Sequence, residues 1–316
     1  MLRLGVFVDR EKEEGKTMRN VYEKRRVFQA VTATFAVVAA LGLSACGGGD
    51  DGGSGSNTAS NDTSTGGSSS GSASSSSAIH VEGQSQALSS SLTAVSVFTP
   101  PVSWNTNGSF PSGSLTLSAS GVDAAQLKSQ VPGAYTTLPR INDTLSLSTG
   151  TVTDIAGNGD FAIGRWAAGS DSAGHSYTVN QGRSWAVGAP VTVNVTAQTQ
   201  FNCSLVAATR PTSMDGNTAP GLLTAATAVV TGKTDTSGNV NANAALTLQY
   251  SIGSDTNQMF SGSTQIGSMS TSTTTRSSLF TKFMGPNASA PYLVISYGVN
   301  APTTGGVNGL AMLSCK

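Results

Sequence analysis

From about residue 81 onward, apolar and polar positions alternate in short runs. Ser114-Leu115-Thr116-Leu117-Ser118 alternates, as do Thr144-Leu145-Ser146-Leu147-Ser148 and Val191-Thr192-Val193-Asn194-Val195. In 246–252, period two puts Leu246, Leu248, Tyr250 and Ile252 on one face of a strand. Thr247, Gln249 and Ser251 fall on the other face. One dry face and one wet face is the pattern of antiparallel sheets more often than parallel ones. Further strands are predicted at 161–166, 201–209, 226–231, 257–265, 278–284, 292–299 and 307–314. Turn signals separate them: Gly157-Asn158-Gly159-Asp160, Asp215-Gly216-Asn217, the Asp235-to-Asn239 run and Gly305-Gly306. These residue types tolerate positive φ. About eight strands at short spacing between 160 and 316 predict an antiparallel barrel or sandwich. One or two helical turns are predicted near 122–129, stopped by Pro132.

Upstream the pattern is different. Arg19, Lys24, Arg25 and Arg26 precede an apolar run over 27–43, which ends in Leu43-Ser44-Ala45-Cys46. A basic region, a short apolar run and a small-residue cleavage site predict a secretory signal. The run is marginal for a spanning helix and ends at the cleavage site rather than in a stop-transfer cluster. Leu43-Ser44-Ala45-Cys46 resembles the lipobox of bacterial lipoproteins. The resemblance implies that 1–45 is removed as a signal peptide, that the Cys46 thiol carries diacylglycerol, and that its amine is acylated too. Several chains anchor stably where one is marginal. Gly47, rather than Asp, follows the cysteine; by the same resemblance this points to the outer membrane, with the face left open. Asp9, Glu11, Glu13 and Glu14 do not suit a signal, whereas Met18 opens one of ordinary length. Translation is therefore expected to start at Met18.

Residues 47–78 are almost wholly Gly, Ser, Thr, Asn and Asp. Such a segment cannot bury enough apolar surface to offset the entropy of ordering. It is expected to be a disordered linker with a reach of roughly 30 Å. In the whole chain charged residues are 11% and Lys, Glu, Leu and Gln are scarce, which excludes a helical protein. After Cys46 nine Lys or Arg face twelve Asp or Glu, a net of −3 (9 − 12). With no basic patch, nucleic acid is excluded as a partner.

Several motifs then follow in order: Gly159-Asp160-Phe161-Ala162-Ile163-Gly164-Arg165-Trp166, Trp185-Ala186-Val187-Gly188-Ala189-Pro190, Leu205-Val206-Ala207-Ala208-Thr209-Arg210-Pro211-Thr212, and Asp215-Gly216-Asn217-Thr218-Ala219-Pro220-Gly221. This order resembles C-terminal barrel-like domains of some bacterial surface proteins. Through them it is similar to the small eight-stranded barrels of transferrin-binding-protein-B-like lipoproteins. The resemblance spans roughly 155–316. It implies an antiparallel barrel filled by side chains, on a protein that binds another protein or an iron- or haem-related molecule. Transferrin itself and specific binding residues are not carried over, because fold does not fix function.

With Cys46 lipidated, Cys203 and Cys315 remain as an even pair in an oxidising compartment. A disulfide between them is expected, pinning the last strand to the sheet; two free thiols are the alternative. Metal is not expected, since two cysteines without nearby histidines make a poor site.

No catalytic motif appears: no G-x-S-x-G elbow, no S-x-x-K, no Walker loop and no H-E-x-x-H. The only histidines are His80, at the linker's end, and His175, in a predicted hairpin loop. Asp154, Asn158 and Asp160 offer oxygens to calcium but lack the loop order and the bidentate Glu, so a turn is expected there. Glu82 is the only Glu after Cys46, which argues against a carboxylate pair for glycoside hydrolysis. Trp166 and Trp185 are expected to pack at strand ends. Trp104, among Pro100, Pro101, Asn105 and Asn107, is the candidate for partner contact.

The expected organisation is a signal peptide (1–45), a lipidated linker (46–78), a β-rich part (79–150) and an antiparallel barrel (151–316). The expected function is a membrane-anchored binding module, not an enzyme, without cofactor. A structural envelope lipoprotein is the alternative, and a hydrolase a further one.

Overall fold

The computed structural model describes residues 79–100, 117–272 and 274–316. Every regular element in them is a strand, apart from one 3-10 turn at Ala124–Gln126. The first sheet holds β1 (Ile79–Val81), β2 (Ala94–Thr99), β3 (Leu117–Asp123), β4 (Lys128–Ser129), β5 (Tyr135–Pro139), β6 (Thr144–Gly157), β7 (Phe161–Asp171), β8 (Ser176–Tyr177) and β9 (Arg183–Gly188). Its order is β3-β2-β9-β7-β6-β5-β4, with β1 beside β6 and β8 beside β7. The second sheet holds β10 (Gln200–Ala208), β11 (Thr212–Ser213), β12 (Leu222–Thr234), β13 (Val240–Ile252), β14 (Asp255–Gln265), β15 (Met269–Ser272), β16 (Ser277–Met284), β17 (Tyr292–Ala301) and β18 (Gly305–Cys315). Its order is β14-β13-β12-β10-β18-β17-β16-β15, with β11 beside β18. Both sheets are curled and antiparallel, β1 alone running parallel to its neighbour, so the fold is all-β and barrel-like. Both belong to one compact unit.

Alternation builds the second sheet as the sequence predicts. On β13, Leu246, Leu248, Tyr250 and Ile252 are buried, while Thr247, Gln249 and Ser251 are half-exposed. The buried set joins Ala226, Ala228 and Val230 of β12 and Leu293, Ile295 and Tyr297 of β17 in a core inside the curl. The path closes on itself in sequence: β14 and β15 are its two ends, joined by a turn in which Ser268 N donates to Gln265 O (3.1 Å).

The path has eight strands, but it starts at Gln200. The sheets divide between Gly188 and Gln200, not at the sequence boundary near 151. β7, read from the sequence as a barrel strand, and β9, which falls in the region expected to form the barrel, pair with β6 and β2 in the first sheet. The reason is burial on two faces. Ala162, Trp166, Trp185 and Val187 face the first sheet's own core. Phe161, Ile163 and Ala186 face a second core shared with Met284, Val294, Leu310 and Met312 of the other sheet. A strand buried on both faces shows a continuous apolar run, which does not name its partner.

Residues 189–196 also depart from expectation. Val191, Val193 and Val195 alternate and pack on the barrel core, with Thr192 and Asn194 exposed. Yet the segment joins neither ladder. Alternation sets which side faces inward; a strand also needs a free neighbouring edge. The helix predicted near 122–129 is reduced to the 3-10 turn, capped by Asp123, whose side chain accepts from Ala125 N (2.9 Å).

Trp166 and Trp185 are both fully buried. Trp166 Nε1 donates to Tyr135 O (2.8 Å), and Trp185 packs edge-on against Tyr135 with ring centroids 5.8 Å apart. Gly164 makes room, since a Cβ there would lie 2.4 Å from Trp185 Cζ2. Gly164→Ala is expected to cost about 1–3 kcal/mol by overpacking, measurable as a lowered urea midpoint at unchanged slope.

Candidate functional site

A cavity in the first sheet marks the candidate site. The sheet's two margins, β2 with β3 and β5 with β6, meet at one end. There Val97 and Thr99 of β2, Ala119 of β3, Leu138 and Pro139 of β5, and Leu145 of β6 line a cavity of about 280 Å³. Mouths of curled sheets are common ligand sites. Val97 and Thr99 share a face because they are two apart. Val97 belongs to the core inside the curl, whereas Phe98 between them points to the core shared by the sheets. The floor is dry: Val97, Ala119, Leu138 and Leu145 are all buried.

Ser118 and Asn142 also line the cavity, and one polar side chain, Thr99, stands within the floor itself. Thr99 is 2% exposed, and among the described residues its Oγ1 has no hydrogen-bond partner. A buried hydroxyl left unpaired costs about 1–3 kcal/mol. Thr99→Val, which keeps the shape and removes the hydroxyl, is therefore expected to leave stability unchanged or to raise it by up to that amount. Urea unfolding checks this, and a clear loss of stability would mean that the hydroxyl has a partner.

The rim is the turn between β5 and β6. Arg140 N donates to Asp143 O (2.8 Å), and the guanidinium grips the same residue's carboxylate, with Nε to Oδ1 at 2.6 Å and Nη2 to Oδ2. The hydrogen bonds from Arg140 hold the Asp143 carboxyl below its usual range. Beside this pair Ile141 is 76% exposed, an apolar side chain held out at the rim. A second cavity, of about 490 Å³, lies at the other ends of β2 and β3, among Leu88, Leu92, Asp123, Leu127 and Tyr135. Its main polar groups are already in use, Asp123 as the turn cap and Tyr135 OH as acceptor from Leu88 N (3.3 Å).

The residues singled out from sequence lie elsewhere. His80 sits exposed on β1 opposite Thr151, and Glu82 N donates to Val152 O (2.8 Å). His175 is on the hairpin between β7 and β8, as expected, but it is not a plain loop residue. Arg183 Nη2 donates to its Nδ1 (3.0 Å), and it borders a buried cluster of Asp171, Tyr177 and Arg183. Neither histidine lines the mouth cavity. Asn158 and Asp160 meet at the Tyr292 hydroxyl, which donates to Asp160 Oδ2 (3.3 Å), but Asp154 lies apart from them. Asp154, in the left-handed region at φ 57°, accepts from Arg165 Nε (2.7 Å) and Arg210 Nε (2.6 Å). Asn158 forms a turn with the backbone N–H of Asp160, and its Nδ2 donates to Tyr292 OH (2.8 Å). Among the described residues no three His, Cys, Asp or Glu side chains gather as a metal site would require. Cys203 and Cys315 form a disulfide, as expected. Cys46 and Trp104 lie outside the described residues.

Sequence reading missed Thr99. The run Val95-Ser96-Val97-Phe98-Thr99 before Pro100 and Pro101 has the β-branched content and the proline stop of a strand end, but no sequence signal marks the mouth of a curl. Comparison with protein-family models, with curated proteins and with solved structures gives no match to this chain.

Proposed function

We propose that the chain is an exported lipoprotein, anchored in the outer membrane through acyl chains on Cys46, whose all-β module binds a ligand at the mouth of its first sheet. The observation that carries this reading is the Cys203–Cys315 disulfide. Disulfides persist in oxidising compartments outside the cytosol. Of three cysteines, the bond uses two and leaves Cys46, the one that follows a basic segment and an apolar run. The binding part of the reading is supported by the dry, partly open cavity with an exposed Ile141 on its rim.

Fractionation of bacterial membranes, followed by protease treatment of intact cells, tests it. The protein is expected in the outer-membrane fraction. Peptides from 80–316 released from intact cells would favour a receptor-like binder; release only after the outer membrane is opened would favour the envelope-structural alternative. Recovery in the soluble fraction would overturn the anchored reading.

A further inference from the structure

We propose that the mouth of the first sheet takes a small, uncharged, mainly apolar molecule carrying one hydrogen-bonding group, which Thr99 recognises. The inference rests on reading the chain as a binding module and names the chemistry of its ligand. Three features of the cavity specify that chemistry.

The first is size. At about 280 Å³ the cavity approaches the range of small-molecule sites. It is nearly twice the size of the roughly 150 Å³ apolar cavity that takes benzene. That suits a two-ring aromatic or a short branched aliphatic. The second is the buried floor, where four aliphatic side chains surround a single unpartnered hydroxyl, Thr99 Oγ1. Among the side chains of that floor only Thr99 Oγ1 offers a water a partner, where buried waters make two to four hydrogen bonds. A ligand that brings its own apolar body and one polar group fits where water does not. A hydroxyl both donates and accepts, so the polar group is an alcohol, phenol, carbonyl or amide. The third is charge. The ions lining the cavity, Arg140 and Asp143, satisfy each other in a two-point pair. The nearest other charge, Lys282 Nζ, is held by Ser118 Oγ (2.6 Å), so a charged group entering the cavity would gain nothing from the Arg140–Asp143 pair for its lost hydration, and an uncharged ligand is favoured.

The intact purified protein is titrated with 1-naphthol and with naphthalene by calorimetry, and so are Thr99→Val, Thr99→Ser and Ala119→Phe. The wild type is expected to bind both probes at one site. Thr99→Val is expected to lower the ratio of 1-naphthol to naphthalene affinity by roughly 3- to 10-fold, the worth of one hydrogen bond. Thr99→Ser keeps the hydroxyl and is expected to keep the ratio. Ala119→Phe fills the cavity and is expected to abolish both. Failure of the wild type to bind either probe, or an unchanged ratio in Thr99→Val, overturns the inference. Neither result bears on membrane anchoring, which the fractionation above tests separately.

Discussion

Replacing both Cys203 and Cys315 by Ser is expected to lower stability by about 4–5 kcal/mol, the value of the chain-entropy model for the 112-residue separation. For a module of this size that is a drop of roughly 10–20 °C in Tm. The bond joins directly opposed residues of β10 and β18. Beside it, Asn202 and Lys316 exchange a reciprocal pair of backbone hydrogen bonds of 2.9 and 3.1 Å. Cys203 and Cys315 are therefore a non-hydrogen-bonded pair, the closer of the two antiparallel spacings. β18 also pairs with β17 along its whole length, so the disulfide closes β10 onto a hairpin that is already formed. Thermal unfolding of the double variant, and of the wild type with and without reductant, measures the effect. A shift below about 1 kcal/mol would mean that the ladder alone holds the last strand and that the unfolded chain gains little freedom from losing the link.

Asp171→Asn is expected to cost about 3–5 kcal/mol at pH 7, because it leaves the Arg183 guanidinium buried without a counter-charge. The Asp171 side chain is fully buried and that of Arg183 is 4% exposed, with Nε 2.8 Å from Oδ2. Tyr177 OH also donates to the carboxylate, as do the backbone N–H groups of Ala173 (2.9 Å) and His175 (3.2 Å). Burial alone pushes the carboxyl up, but the Tyr177 hydrogen bond, the Arg183 charge and the His175 N–H together outweigh it. Its pKa ends below the usual range. Burial pushes the Tyr177 phenol up, so it stays protonated and donates. A lowered folded pKa gives stability that is fully present above the unfolded value, about 3.9. That stability is lost as pH falls through the folded pKa. The wild type should therefore lose stability on acidification below about pH 4, and Asp171→Asn should lose less over that interval. Urea midpoints between neutral and acid pH test this. Parallel acid profiles for the two proteins would contradict the assignment.

How much of this molecule is legible in its sequence depends on how local each signal is. β13 and the first part of β6 are legible because one face is wet and the other dry within a few residues. The turn after β12 is legible because Asp235 bonds only to groups up to six residues on, among them Ser237 N and Asn239 N. The disulfide is legible from cysteine parity. The placement of β7 and β9 is not, because Phe161 to Ala167 are buried on both faces and carry no alternation. Nor is the insertion of β2 between β3 and β9, which depends on edges far apart in the chain. The pairing of Asp154 with Arg210 spans 56 residues and has no local mark. The same holds for the mouth cavity: Thr99 reads as an ordinary strand-end residue until the curl brings Leu138 and Leu145 opposite it.

Metabolic labelling of growing bacteria with a tagged palmitate, comparing the wild type with Cys46→Ser, reads lipidation at this cysteine. A labelled wild-type protein in the membrane fraction and an unlabelled, uncleaved Cys46→Ser protein are expected. An unlabelled wild type, or a label that persists in Cys46→Ser, would contradict the anchored reading.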